Sequence, residues 1–404
     1  MAVPERQQLV KVMSFVAGNL MFATGLIFHA FLYNFYLEAL HLSAQVMGHA
    51  AAALTGGGLV VLLPAGALGD RLGPRAVVVT AAAVVAIGLA LGAVATTPVA
   101  IYTAAAVAGA GSGMWRVVTA PILMELTEPR VRARVFAWNV GLLVAWGGLG
   151  TAIAGATSQW LEVRYGLERL LAVRAALVLG AIGSAASLLL FQALRLSAGP
   201  TPVGVAAAGP PRAGGDPVGW RDVMPLIALV AVWMVGPALA APFFNIFFSR
   251  EHGLSIARTG FIFAGASMAW ALAVFASGEV AVRVGVRRLL VAALLFFAPA
   301  MWGLSTAGTV ELAIVLYLLQ GLIAPVTNPL IDQWLLGQTP RERMSAVSSW
   351  RQVAADASAM VGASVGGRLL VSGAFDTLFL VAGTVGLVGA LGLIVAAQRS
   401  ATAR

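Results

Sequence analysis

Long apolar runs separated by short charged or glycine-marked turns extend along the whole chain. The runs do not alternate between polar and apolar positions, so they predict helices. At about 20 apolar residues per membrane span, the 404 residues leave room for twelve spans with short connections. The predicted helices lie at 12–37, 46–69, 76–96, 99–127, 133–158, 169–194, 222–249, 258–282, 287–307, 309–336, 344–371 and 375–398.

The pattern repeats at half the chain length. Residues 66–75 are matched by residues 278–287 at a constant offset of 212, with glycine and arginine in the same places: Gly66, Arg71, Gly73 and Arg75 against Gly278, Arg283, Gly285 and Arg287. Trp138 and Trp350 keep the same offset. A period of this length indicates duplication of a whole domain. Repeats of this kind are common in secondary transporters, whose substrate site lies between the halves.

The duplication predicts two six-helix domains, 1–194 and 222–404. Between them, residues 195–221 are rich in glycine and proline and are interpreted as a cytoplasmic linker.

Composition places the chain in a membrane. Hydrophobic residues make up 60% and charged residues 10%, and the mean hydropathy is +0.92. Soluble domains carry about 25% charged residues. The net charge of +9 could indicate nucleic acid. However, 17 of the 25 basic residues fall on one side of the predicted helices, together with both termini. This asymmetry predicts cytoplasmic termini and no nucleic-acid partner.

Enzyme chemistry is not expected. The chain has no cysteine, four histidines and no H-E-x-x-H motif, so no catalytic residues, metal site or cofactor are predicted. A channel would need a symmetric ring of pore residues, which a single chain of two six-helix halves does not indicate.

Residues 66–75 resemble the G-x-L-a-D-R-x-G-R-[RK] signature of the major facilitator superfamily, with Pro74 in place of one basic residue. The resemblance extends over essentially the full chain through the repeat and the helix count. It implies an all-α membrane protein with twelve transmembrane helices in two pseudo-symmetric six-helix bundles. The expected protein is a monomer in a bacterial cytoplasmic (inner) membrane.

The resemblance also implies a conformational latch at the signature loop. Glu125 would pair with Arg75, and Asp70 would lie against the positive N-terminal end of the eleventh helix. Val282 stands where the second copy would have that aspartate, so this latch is expected on one side only. The full set of latch residues is Gly66, Asp70, Arg71, Gly73, Arg75 and Glu125.

Charges within the membrane segments are costly unless they are paired or face water. Asp332 and Arg351 lie at similar depth in a helical hairpin and are predicted to form an ion pair. The pair is either structural or opens when protons or substrate arrive. The predicted membrane segments contain three acids far from their ends but only two such arginines, so one acid lacks an obvious partner. Asp356 is therefore the proton-coupling candidate, with Asp332 and Arg351 beside it.

Arg116 lies nine residues before Glu125, about 13 Å along the helix, so no acid of that helix reaches it. It either pairs with another helix or faces the central cavity and attracts an anionic substrate group. The His29 side chain either changes its protonation near neutral pH or serves as a hydrogen-bonded packing residue. The residues predicted to contact substrate are Arg116, His29, Tyr33, Asn34, Asn245, Asn328 and Trp115.

The sequence thus predicts a secondary active transporter of a small amphipathic or anionic molecule. Proton-coupled export is favoured by the resemblance. A lipid or lysolipid flippase and a proton-coupled importer remain alternatives. Two markers of drug exporters are missing, since Ala105 replaces an arginine and Gly147 and Gly148 have no following proline. The expected partners are a small-molecule substrate, protons or another coupling ion, and membrane lipid.

Overall fold

A computed structural model describes residues 3–194, 220–336, 339, 344–372 and 374–402. Within these ranges the chain is almost wholly helical and contains no strand. The described residues form fourteen α-helices: α1 (Val3–Ala39), α2 (Ala44–Leu72), α3 (Pro74–Val94), α4 (Pro98–Leu126), α5 (Pro129–Tyr165), α6 (Arg169–Ala193), α7 (Trp220–Ala240), α8 (Phe244–Arg250), α9 (Ile256–Val284), α10 (Val286–Ser305), α11 (Val310–Gly321), α12 (Ile323–Leu336), α13 (Met344–Ser372) and α14 (Phe375–Thr402). Nearly all of the predicted linker lies outside the described residues.

The helix ends repeat at the spacing found in the sequence. Helices α2, α3 and α4 begin 212 residues before α9, α10 and α11. The turns agree in conformation too, since Gly73 has φ 82° and Gly285 has φ 93°, where other residues are strained. Thr97 and Thr309 each cap the following helix, accepting a hydrogen bond from the backbone N–H three residues on. The duplication therefore extends to backbone conformation.

Two segments predicted as single helices are broken. Helices α7 and α8 are joined by the 3₁₀ turn Ala241–Phe243, where Pro242 has no backbone N–H to continue the helix. Helices α11 and α12 meet at Leu322, directly after Gly321, which packs against the Trp270 ring. With each broken segment counted once, the described residues form the twelve segments that the sequence predicts.

Ten of the twelve segments are long and apolar enough to cross a membrane. The other two among the described residues are α4 and α13. Small residues lower their mean hydropathy, and α4 also carries Arg116 and Glu125, while α13 carries Arg351 and Asp356. Helices α4 and α13 are thus the least suited to contact lipid alone.

The described helices pack into two units. The first unit comprises the described residues of Met1–Leu42, Ala53–Val205 and Gly253–Met268. In it, α1 packs on α6 and α3 packs on α4. Its core is apolar and lies mainly between these four helices; its largest members include Phe15, Phe22, Val85, Ile122 and Phe191.

The second unit comprises the described residues of Ser43–Ala52, Ala206–His252 and Ala269–Arg404. Helix α7 packs on α13 and α14. The approach is close, since a Cβ on Gly236 would lie 2.7 Å from the Gly386 Cα. Aromatic rings of α11 and α14 pack against those of α8 to form one cluster: Phe244, Phe247, Phe248, Tyr317, Phe375 and Phe379.

Each unit includes a segment from the other half of the sequence. The start of α2 packs within the second unit, where a Cβ on Gly367 would lie 2.6 Å from the Ala44 carbonyl oxygen. The start of α9 packs within the first unit, where a Cβ on Gly260 would lie 2.7 Å from the Thr151 carbonyl oxygen. The exchanged segments occupy matching positions in the repeat.

Candidate functional site

Arg116 lies on α4, one turn after a close contact of this helix with α2. One turn earlier the two backbones touch, since a Cβ on Gly113 would lie 2.9 Å from the Gly58 Cα. The Arg116 side chain is exposed, and its Nη2 lies 3.2 Å from the position that a Cβ on Gly58 would take. Because residue 58 is glycine, the guanidinium can lie against the α2 backbone.

Trp115, the residue before Arg116, belongs to a chain of hydrogen bonds that joins three helices. The Trp115 Nε1–H donates to the Asn19 Oδ1 at 2.9 Å, and the Asn19 Nδ2 donates to the Asn139 Oδ1 at 2.9 Å. Asn19 and Asn139 are both buried. The indole also stacks on Phe22, with ring centroids 5.0 Å apart. Trp115 is therefore fixed by packing and by a committed hydrogen bond.

His29 and Tyr33 form an aromatic column on one face of α1 together with Tyr36. The His29 and Tyr33 rings stack with centroids 4.0 Å apart, and Tyr33 stacks on Tyr36 at 5.8 Å. The Tyr36 hydroxyl donates to the Ala95 carbonyl and accepts from Arg174 Nη2. The Tyr33 hydroxyl is buried and has no hydrogen-bond partner among the described residues. His29 thus sits as a buried, stacked residue.

The three predicted asparagines lie in different settings. Asn34 is buried on α1 in the first unit. Asn245 is buried in α8, just after the break in the seventh segment, and its Oδ1 accepts from the Ile246 N–H at 2.9 Å. Asn328 is half-buried on α12. The predicted substrate residues are therefore divided between the units, with Asn245 and Asn328 in the second.

The predicted ion pair between α12 and α13 is present. Asp332 Oδ1 lies 2.5 Å from Arg351 Nε, and the side chains are 37% and 16% exposed. The Nε–H does not point at the carboxylate, so the contact is an ion pair without a directed hydrogen bond. One turn further along α13, buried Asp356 accepts a hydrogen bond from Gln352 Nε2 at 3.1 Å.

The expected pairing of Arg75 with Glu125 differs from the structure. In the described part of the chain, Arg75 Nη2 donates to the main-chain oxygen of Gln192, near the end of α6. The last carbonyls of a helix lack intrahelical donors and carry partial negative charge, which explains why the cation lies there. Glu125 is half-buried near the end of α4.

The other latch residues surround the turn between α2 and α3. Gly66 is buried, Arg71 is exposed, and Gly73 supplies the left-handed turn residue. The Asp70 side chain lies outside the described part of the structure, and so do the residues just before α13.

His252 lies in the turn between α8 and α9, outside the membrane-length segments. Its ring stands edge-on to Phe247, with centroids 5.0 Å apart, and its buried Nε2 has no hydrogen-bond partner in the part of the chain that the structure describes. Burial lowers the pKa of His252 from its usual 6.5, against the opposing effect of the Glu251 and Glu311 carboxylates.

The sequence matches the family model of the Major Facilitator Superfamily over residues 13–239 and 223–403. The chain belongs to the major facilitator superfamily. It is accordingly a multi-pass membrane transporter and not an enzyme.

Solved structures of other superfamily members share this fold. The nucleoside transporter NupG has 16% identity and a TM-score of 0.70, covering 96% of this chain and 98% of that one. A bacterial homologue of the iron transporter ferroportin, in an inward-facing state, has 13% identity and a TM-score of 0.78, covering 99% and 100%. A D-xylose–proton symporter has 14% identity and a TM-score of 0.72, covering 95% and 96%. Among proteins of curated function, no sequence matches the chain.

Two residues of this superfamily member were not predicted from the sequence. Asn139 lies 212 residues before Arg351, so the two residues occupy equivalent positions in the repeat. The charge of Arg351 therefore indicated that position 139 also carries a polar group within a membrane segment. Gln352 precedes Asp356 by one helical turn, the spacing at which side chains on a helix meet. Both signals were in the sequence, but neither residue is charged.

Proposed function

We propose that this protein is a secondary active transporter that exports a small anionic or amphipathic molecule from the bacterial cytoplasm. Protons drive the export, and the two halves alternate access to the substrate. The observation that carries the proposal is the Asp332–Arg351 ion pair, which joins α12 to α13.

An ion pair at this position supports proton coupling for an electrostatic reason. Removing one partner of a buried pair leaves a costly charge behind, so the pair holds α12 and α13 together. A proton on Asp332 removes its charge and releases Arg351. The Asp332 side chain is 37% exposed, so the acid is not sealed inside the protein. Asp356, held by Gln352 one turn away, is the second proton-binding candidate.

The proposed substrate contacts are Arg116, Trp115, His29, Tyr33 and Asn34 in the first half, and Asn245 and Asn328 in the second. Asn245 and Asn328 lie on the two broken segments. Broken membrane helices supply binding groups in many transporters, because their interrupted backbone has polar atoms left over.

The proposed latch is the signature loop, Gly66 to Arg75. The loop contacts α6 through the hydrogen bond from Arg75 to the Gln192 carbonyl oxygen, which supports this role. A contact between a cation and a helix end is weak enough to form and break at little cost in free energy. Asp70, Arg71, Gly73 and Glu125 complete the proposed latch.

We place the protein in the bacterial cytoplasmic membrane as a monomer with both termini inside. The bias of basic residues supports this orientation. The two halves, 1–194 and 222–404, are the proposed moving bodies, joined by the linker at 195–221.

The first experiment identifies the substrate. The melting temperature of the purified protein is measured with a panel of organic anions, nucleosides, sugars, amphipathic cations and lysolipids between pH 5.5 and 8. Only a molecule that binds the folded state raises it. Anions or amphipathic molecules are expected to do so.

The second experiment tests coupling with the molecule found in this way. In proteoliposomes, an imposed pH gradient should drive its accumulation against its own gradient. Asp332→Asn should abolish accumulation but retain exchange of labelled for unlabelled substrate. Asp376→Asn, an exposed acid in the first turn of α14, is the matched control. Gradient-driven accumulation by Asp332→Asn at the normal rate would refute the coupling, and the gradient direction that works decides between export and import.

A further inference from the structure

We infer that the Tyr33 hydroxyl and the His29 imidazole bind an uncharged hydroxyl group of the transported molecule, beside Gly92 in the first unit. The inference rests on the proposed function, because both side chains are among the proposed substrate contacts. It goes further by naming the chemical group that they recognise. His29 and Tyr33 lie on α1, and Gly92 lies on α3.

The Tyr33 hydroxyl is a polar group that the fold buries without using it. The residue is 4% exposed, and within the described ranges its oxygen has no hydrogen-bond partner. Tyr36, three residues further along α1, shows the opposite arrangement. Its hydroxyl donates to the Ala95 carbonyl and accepts from Arg174 Nη2. A buried hydroxyl without a partner costs free energy, so Tyr33 calls for a partner from outside the fold.

Gly92 leaves the Tyr33 hydroxyl uncovered on the side of α3. A Cβ on Gly92 would lie 3.5 Å from the Tyr33 hydroxyl oxygen and 3.8 Å from the Ala104 Cβ, which are ordinary van der Waals distances. A methyl group would therefore fit without displacing its neighbours, and it would cover the hydroxyl. With glycine at position 92, the same position is open to a ligand atom.

His29 supplies the second polar group. Its side chain is 6% exposed, and its ring stacks on Tyr33 with centroids 4.0 Å apart. Stacking uses the faces of the two rings, so the imidazole nitrogens and the phenol oxygen keep their edges for hydrogen bonds. A ligand hydroxyl both donates and accepts, and one such group can therefore bond to both side chains.

The surroundings of the pair favour a ligand without charge. Tyr33 contacts two aromatic rings and a glycine, and no permanent charge is among these described contacts. Arg174 donates to the Tyr36 hydroxyl instead. An ion buried beside Tyr33 would lose its hydration without a matching charge, which is costly. The inference therefore selects the amphipathic alternative of the proposed function, with an uncharged polar end at Tyr33.

The first test needs no ligand and compares two tyrosines of one helix. Tyr33→Phe removes an unsatisfied hydroxyl, so the melting temperature of the purified protein should stay at the wild-type value or rise. Tyr36→Phe is the matched control, because it breaks two hydrogen bonds and should lower the melting temperature. A melting temperature of Tyr33→Phe below the wild-type value would overturn the inference, since the hydroxyl would then have a structural partner such as an internal water.

The second test uses benzyl alcohol, benzoate and benzylamine, which share a ring and differ in charge. Each is titrated by thermal shift against the wild type and Tyr33→Phe in parallel, so that general effects of the solute cancel. Benzyl alcohol should raise the melting temperature of the wild type more than that of Tyr33→Phe, whereas each ion should act on both proteins equally. No difference with benzyl alcohol, or an equal or larger difference with either ion, would overturn the inference.

Two further variants locate the binding. Gly92→Ala should weaken benzyl alcohol binding about tenfold without lowering the melting temperature, because its methyl group covers the hydroxyl. Gly141→Ala is the matched control, since a Cβ there meets no atom within 4 Å. His29→Phe keeps a ring on Tyr33 and should weaken binding by a similar factor. Wild-type affinity in both Gly92→Ala and His29→Phe contradicts the site.

The two proposals fail separately. A protein that accumulates an organic anion under a pH gradient, and whose binding of benzyl alcohol does not depend on Tyr33, keeps its proposed function and loses this inference. Binding of benzyl alcohol that depends on Tyr33, without any gradient-driven transport, supports the site and contradicts the proposed function.

Discussion

Asp332 Oδ1 lies 2.5 Å from Arg351 Nε, and the pair joins α12 to α13. The acid is the more exposed partner, at 37% against 16% for the arginine. Protonation of the acid would remove one of the two charges and open the pair. Opening leaves the arginine charged, and Arg351 then needs a new partner or water.

Arg351→Met should lower the free energy of unfolding by about 1 kcal/mol. This is less than the 3–5 kcal/mol of a fully buried pair, because solvent screens a partly exposed acid. The variant Asp332→Asn with Arg351→Met should recover most of the loss, since no charge is then left alone. Thermal melting of the two single variants and the double variant measures the coupling. A coupling energy near zero would contradict an energetic role for the pair.

Asn19→Ala should lower the free energy of unfolding by about 2 kcal/mol, because it leaves the Trp115 indole N–H and the Asn139 amide without their partner. Asn139→Ala removes one of these bonds and should cost about half as much. Thr103→Ala is the control, since the Thr103 hydroxyl bonds only within its own helix and is exposed. Equal melting temperatures for Asn19→Ala and Thr103→Ala would contradict the network.

His252 should make the folded protein less stable in mild acid. Its pKa is lower in the folded state than the usual 6.5, so the unfolded chain binds the proton more readily. The stability is fully present above pH 6.5 and falls as the pH drops towards the folded pKa. His252→Phe keeps a ring against Phe247 and should flatten this part of the pH profile. Melting curves from pH 7.5 to 5 check the sign, and a wild-type protein that gains stability relative to His252→Phe on acidification would contradict it.

Gly285→Ala should lower the free energy of unfolding by about 1 kcal/mol through backbone strain alone, because its φ is 93° and the space around its Cβ is empty. Gly265→Ala also has empty space around its Cβ but lies within helix α9. It should be neutral or gain about 0.5 kcal/mol. Similar melting temperatures for the two variants would show that the turn tolerates a side chain.

Apolar run length and the repeat were enough to predict the all-α fold and its twelve segments, and the family match and fold likeness confirm the superfamily. The residues at which the helices begin and end were less predictable. Helix α5 was predicted at 133–158 but runs from Pro129 to Tyr165, because helices continue past the apolar region into charged residues. The break at Ala241–Phe243 had a signal in Pro242, and the break at Leu322 had signals in Gly321 and Pro325.

Contacts within a helical hairpin were predictable from the sequence, because residues at similar depth on the two helices lie close together. Asp332 and Arg351 are the example. Contacts were not predictable where a partner came from a helix distant in sequence. Arg75 bonds to a backbone oxygen of α6, and main-chain atoms leave no mark in the sequence. Trp115 was predicted to meet substrate, yet its N–H is committed to Asn19.

The exchanged segments bear on how the protein can be divided. Ser43–Ala52 packs with the second unit and Gly253–Met268 with the first, so neither half of the polypeptide is structurally complete alone. If the gene were cut at the linker, each fragment would expose an uncovered glycine-lined surface and be prone to degradation. Produced in the same cell, the fragments should rescue one another.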